Sequence, residues 1–177
     1  MQKIFESSNR WHAVKGGIIA GLIGGAVSSV FMTVMNLATG QDIWAGMKIA
    51  GMPFLGDRAM QPGFEIGPVL IGVLSHFAVS IGWGVLFGLL FHGASRGATL
   101  VGGALWGIVV WLSMYYVVLP LVGLAALARM APTGMAVLEH VLFGLAVGVG
   151  FLPFQRRRTR RSLREAPPVI RHDPVIP

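Results

Sequence analysis

Two apolar segments determine the fold: "VLSHFAVSIGWGVLFG" at residues 73–88 and "VLEHVLFGLAVGVGF" at residues 137–151. Each carries a histidine directly after Val-Leu-x, and each belongs to a longer stretch with few charges, such as the uncharged run between Glu65 and Arg96. About 20 apolar residues are enough for a helix to cross the hydrocarbon core of a membrane. The sequence predicts four such spans, at Gly17–Ala38, Gly67–Phe91, Ala98–Leu121 and Pro132–Phe154.

The composition is that of an integral membrane protein. Hydrophobic residues make up 54% of the 177 residues, charged residues only 12%, and the mean hydropathy is +0.71, whereas about a quarter of a soluble domain is charged. The first apolar segment is longer than the core of a signal peptide, so we expect it to be retained as an anchor. There is no cysteine, which excludes disulfides, thiolate metal sites and thiol catalysis.

The basic residues predict the orientation in the membrane. Of the 14 lysines and arginines, eleven precede the first span, join the second to the third, or follow the fourth, and three lie in the other connections. Cytoplasmic loops are enriched in Lys and Arg, so both termini are predicted to be cytoplasmic in a multi-pass protein of the bacterial inner membrane. Nucleic acid is not an expected partner, because these arginines are predicted to contact anionic lipid headgroups: Arg156, Arg157, Arg158, Arg160 and Arg161.

Three regions follow from this pattern: a cytoplasmic interfacial arm at 1–15, a four-helix transmembrane domain at 16–155, and a basic, then Pro-rich extended tail at 156–177. The tail repeats Pro-Val-Ile, which is unusual for a free disordered segment. The default expectation is a free tail, and the alternative is that its apolar residues dock on a neighbouring subunit: Val169, Ile170, Val175 and Ile176.

The external loop, about residues 39–66, is the one long connection between predicted spans. Asp42 is expected to cap a short amphipathic helix that lies in the membrane interface with Lys48 turned outward. This segment is either a linker resting on the membrane or a lid over an external site.

The two histidine segments also predict an internal repeat of two parallel helical hairpins, related by an axis along the membrane normal. "VLSHF" recurs as "VLEHV", and small residues follow at matching positions. Small residues spaced by four allow helix backbones to approach in a membrane. The predicted packing glycines are Gly17, Gly21, Gly25, Gly84, Gly88, Gly103, Gly107, Gly144 and Gly148.

His76 and His140 are the candidate cofactor-binding residues, because ionisable side chains inside a membrane are costly and are often functional. Two axial imidazoles are a common way to hold a b-type haem, and a quinone is the other cofactor that they suit. The main expectation is nevertheless that no cofactor binds and that the histidines form internal hydrogen bonds. Their possible polar partners are Glu139, Ser80 and Thr33.

The arrangement resembles small four-helix bacterial inner-membrane families to which no activity has been assigned. The resemblance covers most of residues 15–154 and depends on "FMTVM", "LSHF", "LEHVLFG", and the course from Arg96–Gly97 through Trp106 to Pro120. It implies the four-helix fold and transfers no function.

Catalytic motifs of soluble enzymes are absent from the sequence, so an enzyme is not expected. We expect a non-catalytic accessory or scaffold subunit that packs against other membrane protein subunits. The alternatives are a haem- or quinone-binding redox bundle that uses His76 and His140, and a small oligomeric transporter or channel.

Overall fold

A computed structural model describes the backbone of residues 2–130 and 132–155, and the side chains of residues 10–129 and 132–155. Within these ranges the chain is helical and contains no strand, which confirms the all-α fold. The helices are α1 Gln2–Ala38, α2 Ala45–Ala50, α3 Met52–Leu55, α4 Ile66–Phe91, α5 Arg96–Ser113, α6 Leu119–Leu121, α7 Ala125–Met130 and α8 Thr133–Phe151. Shorter elements are the 3-10 segments Gly56–Met60 and Leu152–Phe154 and the π-helical segment Met114–Val118.

Four segments are long and apolar enough to cross a membrane: Arg10–Ala38, Ile66–Phe91, Arg96–Leu121 and Thr133–Phe154. They match the four predicted spans within a few residues at most ends. The first differs most, because α1 begins at Gln2 and the backbone of the 1–15 arm therefore continues the first span as one helix. We call the end of the bundle that carries residues 39–65 the loop end, and the opposite end the terminal end.

Close backbone contacts join the helices in two pairs, α1 with α4 and α5 with α8. A Cβ built on Gly17 would stand 2.6 Å from the carbonyl oxygen of Gly84, and a Cβ built on Gly103 would stand 2.6 Å from that of Gly144. No side chain fits at these distances, so glycine is required at the crossing of each pair. Helix α8 also packs along α1, whereas α4 and α5 have little backbone contact.

Aromatic side chains fill the space that the glycine contacts leave. Phe87 and Phe151 are fully buried, and their rings meet edge to face at 5.9 Å. Trp83 of α4 meets Trp106 of α5 edge to face at 5.8 Å. These large residues hold α4 beside α5, where the two backbones stay apart.

The connection at the loop end folds into a small cap made of α2, α3 and the 3-10 segment. The built Cβ of Gly72 overlaps the carbonyl of Met47, so α2 lies directly on α4. Lys48 is 2% exposed, and the expectation that it turns outward is wrong. Its Nζ donates to Asp42 Oδ2 at 2.8 Å, to the carbonyl oxygen of Gln61 at 2.5 Å and to that of Gly63 at 2.7 Å.

The physical reason that the lysine can be buried is that its ammonium group has three acceptors, the Asp42 carboxylate and the carbonyls of Gln61 and Gly63. Asp42 also accepts from the backbone N–H groups of Trp44 and Gly63 at 3.0 Å. It thus forms a turn before α2 rather than the helix cap that was predicted, since α2 begins at Ala45 without a side-chain cap. The hydrogen bond from Lys48, followed by that from Trp44, lowers the pKa of Asp42.

Candidate functional site: two polar clusters inside the bundle

The α1/α4 cluster consists of Gly25, Ser29, His76 and Ser80. His76 Nε2 lies 2.9 Å from the carbonyl oxygen of Gly25, and Ser29 Oγ donates to the same oxygen at 2.8 Å. A carbonyl oxygen only accepts hydrogen bonds, so Nε2 of His76 carries the hydrogen and the bond crosses from α4 to α1. Ser80 is buried beside this bond, with its Oγ 2.9 Å from a Cβ built on Gly25. His76 therefore ties two spans together.

The α5/α8 cluster consists of Trp111, Tyr115, Glu139 and His140. Here the histidine bonds within its own helix, because His140 Nδ1 donates to the carbonyl oxygen of Ala136 at 2.8 Å. The ring of Tyr115 stands edge to face with that of His140 at 5.8 Å, and the ring of Trp111 lies 6.1 Å from that of Tyr115. Glu139 is close enough to Tyr115 for an electrostatic interaction.

The groups of the α5/α8 cluster are not satisfied by their neighbours. Because Nδ1 of His140 carries the hydrogen, Nε2 has a lone pair and can only accept a hydrogen bond. Nε2 makes no hydrogen bond within the described chain. Among the described residues, Glu139 likewise forms no hydrogen bond or ion pair. The indole N–H of Trp111 is covered, and the part of the chain that the structure describes offers it no acceptor. Each such group costs free energy in apolar surroundings.

A π-helical segment, Met114–Val118, positions Tyr115 in this cluster. Its cause lies in the sequence: Pro120 has no N–H and its ring clashes with the carbonyl one turn earlier, which disrupts the preceding α-helical bonds. The extra residue per turn shifts the side chains on α5, and Tyr115 faces His140 while Tyr116 is 68% exposed. Single π turns inside α-helices are often found at functional sites.

The two clusters adjoin each other, because His76 and His140 are close enough to interact electrostatically. They do not hold each other, since each donates to a backbone carbonyl. Thr33, a predicted partner, is exposed on α1 and takes no part in either cluster. No group of three His, Cys, Asp or Glu side chains in the described ranges is suited to a metal ion.

The predicted packing glycines lie at helix contacts. The built Cβ of Gly21 meets the carbonyl oxygen of Ser80, and that of Gly107 meets the carbonyl oxygen of His140. Gly88 and Gly148 each approach the backbone of the partner helix in the same way. The predicted lipid-contacting arginines and the apolar residues of the tail lie outside the described residues: Arg156, Arg157, Arg158, Arg160, Arg161, Val169, Ile170, Val175 and Ile176.

Sequence reasoning missed two contributors to the clusters. It did not single out Tyr115, which turns inward to His140. It treated Gly25 only as a packing residue, although the carbonyl of Gly25 is the acceptor for His76. The position of Pro120, five residues after Tyr115, was a signal for the inward turn of Tyr115. Nothing in the residue types indicated that the carbonyl of Gly25 is an acceptor.

Four apolar helices of membrane length, joined by glycine contacts around a largely aromatic core, define a polytopic α-helical membrane protein. The chain belongs to the family described as "Family of unknown function (DUF6789)", whose model matches residues 11–162. No curated protein and no solved structure matches the chain.

Proposed function

We propose that this protein is a non-catalytic accessory or scaffold subunit of a larger assembly in the bacterial inner membrane. The observation that carries the proposal is a pair of small residues on the outer side of α4. Ala78 and Gly82 are both exposed and one turn apart, and a Cβ built on Gly82 has no atom within 4 Å. Other mid-membrane glycines pack against helices of the bundle, whereas this pair is available to a helix of another subunit.

The orientation is the one that the charges favour, with both termini in the cytoplasm. The terminal end of the bundle carries Arg10, Lys15 and Arg96, and the connection at the loop end contains Lys48, which is already paired with Asp42. Because the natural chain has no cysteine, single cysteines report topology cleanly. Asp57→Cys is expected to react with a membrane-impermeant maleimide added outside, and Gln155→Cys only after the membrane is opened. The reverse pattern would overturn the orientation.

Two copies of one hairpin account for the matching contacts of the two helix pairs. Gly84 meets Gly17 and Gly21 as Gly144 meets Gly103 and Gly107. When the two hairpins are aligned by these contacts, Ser80, which meets Gly21, corresponds to His140, which meets Gly107. His76 and His140 are then one turn apart in the repeat, and each hairpin has its own histidine arrangement.

The accessory role is tested by purification from native membranes in nanodiscs, with mass spectrometry of the proteins that co-elute in fixed ratio. Gly82→Leu is expected to lose these proteins while the thermal melting of the protein itself is unchanged. Gly67→Leu is the matched control, since Gly67 is also in α4, has open space around its Cβ position, and lies at the end of the span. A wild-type protein that purifies as a stable lone monomer would refute the proposal.

A second candidate function is the binding of a cofactor, haem b or a quinone. It is supported by Nε2 of His140, a lone-pair nitrogen inside a membrane span that no described residue uses. A hydrogen bond from Nδ1 to a carbonyl is also how proteins orient histidines that bind a ligand through Nε2. The test is a visible spectrum of the purified protein for a haem Soret band, together with chromatography of an organic extract for quinone. Neither signal above the level of empty nanodiscs would count against it.

A further inference from the structure

The α5/α8 cluster combines unsatisfied donors and acceptors on a half-exposed aromatic surface. We propose that it binds the headgroup of a lipid-soluble quinone, which enters from the membrane beside Tyr116. This inference rests on the second candidate function, cofactor binding, and names its site and ligand. It concerns binding of the headgroup and includes no redox step.

The acceptor in this site is His140 Nε2. Its lone pair is fixed by the bond from Nδ1 to the Ala136 carbonyl, so the imidazole needs no change of tautomer to accept a hydrogen bond. Thr133 begins α8 seven positions earlier, which places His140 about 10 Å below the loop end of the helix. A headgroup at this depth keeps its isoprenoid tail within the hydrocarbon region.

The donor is the indole N–H of Trp111. It is covered by neighbouring atoms and has no acceptor among the described residues, and a turn of the indole toward a ligand carbonyl relieves that cost. The Tyr115 hydroxyl, which has no hydrogen-bond partner in the described chain, is both donor and acceptor.

The walls of the site are aromatic. Trp111 lies between two tyrosines, with ring centroids 6.1 Å from Tyr115 and 5.9 Å from Tyr116. Tyr116 is mostly exposed, so a planar ring arriving from the lipid meets it first. Aromatic faces and edges at these spacings favour stacking with a flat ligand.

A quinone headgroup fits this set of groups because it is planar and has two oxygens on opposite sides. A quinone oxygen accepts from the Trp111 or Tyr115 donors, and a quinol hydroxyl donates to His140 Nε2. Haem requires a second axial ligand or an open iron face. The nearest histidine is His76, whose Nε2 already donates to the carbonyl of Gly25. The unsatisfied groups of the α5/α8 cluster therefore point to the smaller ligand.

The experiment titrates the full-length protein in nanodiscs with decylubiquinol under anaerobic conditions, because only the reduced form has a hydroxyl that can donate to His140 Nε2, and follows quenching of tryptophan fluorescence. Saturable quenching is expected for the wild type. His140→Ala and Tyr115→Phe each remove a hydrogen bond, and we expect binding about tenfold weaker, which corresponds to about 1.4 kcal/mol. His76→Ala is the matched control, because His76 lies in the other cluster, and its affinity is expected to stay within about twofold.

A second measurement keeps the test independent of folding. An azido-quinone is photolysed in wild-type nanodiscs, and the labelled peptides are identified by mass spectrometry. Labels on residues 111–116 and 138–142 support the site. Quenching that rises linearly and equally in the wild type and His140→Ala, with label spread over all four spans, would mean partition into lipid and overturn the inference.

The outcomes also separate this inference from the cofactor function. A Soret band that disappears in His140→Ala, without saturable quinone binding, would keep cofactor binding and refute the quinone. Saturable binding that depends on His76 and is indifferent to His140 would keep the quinone and refute this location.

Discussion

The α1/α4 and α5/α8 clusters are built on the same glycine-packed helix crossing, yet they treat their histidines differently. In the first, His76 donates across the helix pair to Gly25, and Ser29 donates to the same carbonyl. In the second, His140 donates within α8 to Ala136, and its other nitrogen has no partner in the described chain. Each histidine thus uses one ring nitrogen, and the difference is that the first bond joins two helices, whereas the second lies beside groups of Trp111, Tyr115 and Glu139 that have no hydrogen-bond partner in the described chain.

The comparison teaches that a polar residue inside a membrane must be judged by its remaining hydrogen-bonding capacity, not by its presence. Polar groups that are fully bonded inside a membrane add modestly to helix association. Those that are not bonded are costly and are often functional. Two histidines in similar sequence contexts therefore differ in the helices that their hydrogen bonds join.

The largest expected effect comes from breaking one of the two glycine crossings, since each cluster is built on its own crossing. Gly107→Val places a side chain into the backbone of His140 and Val141, and we expect a loss of about 3 kcal/mol or more in stability, because the helices must separate. Gly21→Val at the other crossing is expected to cost as much, and Gly82→Val to leave the fold intact, since its Cβ meets open space. Thermal melting in nanodiscs measures all three. Equal melting of Gly107→Val and Gly82→Val would contradict the close packing.

The next effect concerns the cap above the α1/α4 cluster. Lys48→Met leaves the carboxylate of Asp42 and two carbonyls without their donor, and because Asp42 is 21% exposed, we expect a cost of about 2 kcal/mol. Hydrogen exchange is expected to quicken in α2 with little change in α5 or α8. Arg58→Met is the control: Arg58 and Glu65 also pair, at 3.0 Å, but both are exposed, so less than about 1 kcal/mol is expected. Similar exchange in the two variants would show that Lys48 does not hold the cap.

A smaller effect separates the two histidines directly. His76→Ala removes an interhelical hydrogen bond, and we expect a destabilisation of about 1 kcal/mol. His140→Ala removes a bond within one helix, for which less than about 0.5 kcal/mol is expected. Unfolding of each variant by steric trapping in bicelles measures the difference. A larger loss for His140→Ala would reverse the assignment of structural and ligand-binding roles.

The smallest effect is the pH dependence of the cap, which comes from the titration of Asp42 and is not seen at neutral pH. Its pKa is lowered in the folded cap, mainly by the hydrogen bond from Lys48. A carboxyl group of this kind contributes its full stabilisation above its unfolded pKa of about 4 and loses it as the pH falls through the folded value. Trp44 fluorescence is therefore expected to stay constant from about pH 8 to pH 5 and to change only below about pH 4. Asp42→Asn should abolish that transition, and a transition near pH 6 would point to another group.

The predicted and observed structures agree best where the membrane itself sets the pattern. The hydrocarbon core imposes length and apolarity on every span, so all four spans were predictable from residues such as those between Glu65 and Arg96. Gly17, Gly84, Gly103 and Gly144 were identified as packing residues because only small side chains allow backbones to meet.

The cap and the clusters were less predictable, because their contacts join residues far apart in sequence. From the sequence, Lys48 is expected at the surface. In the structure, Asp42 and the carbonyls of Gln61 and Gly63 surround it. The sequence pairs His76 with His140, but the contacts in space pair His76 with Gly25.

By itself, the sequence determined that this is a four-span helical membrane protein and which glycines lie at its helix crossings, since both follow from local composition and spacing. Only the tertiary structure decided that Lys48 is buried, that Tyr115 faces His140, and that His76 bonds to another helix while His140 bonds within its own. The physical reason is that hydrogen-bond saturation depends on which acceptors the packed helices bring within about 3 Å. Which acceptors come within reach depends on helix register and on the π turn before Pro120, not on the order of residues in either histidine segment.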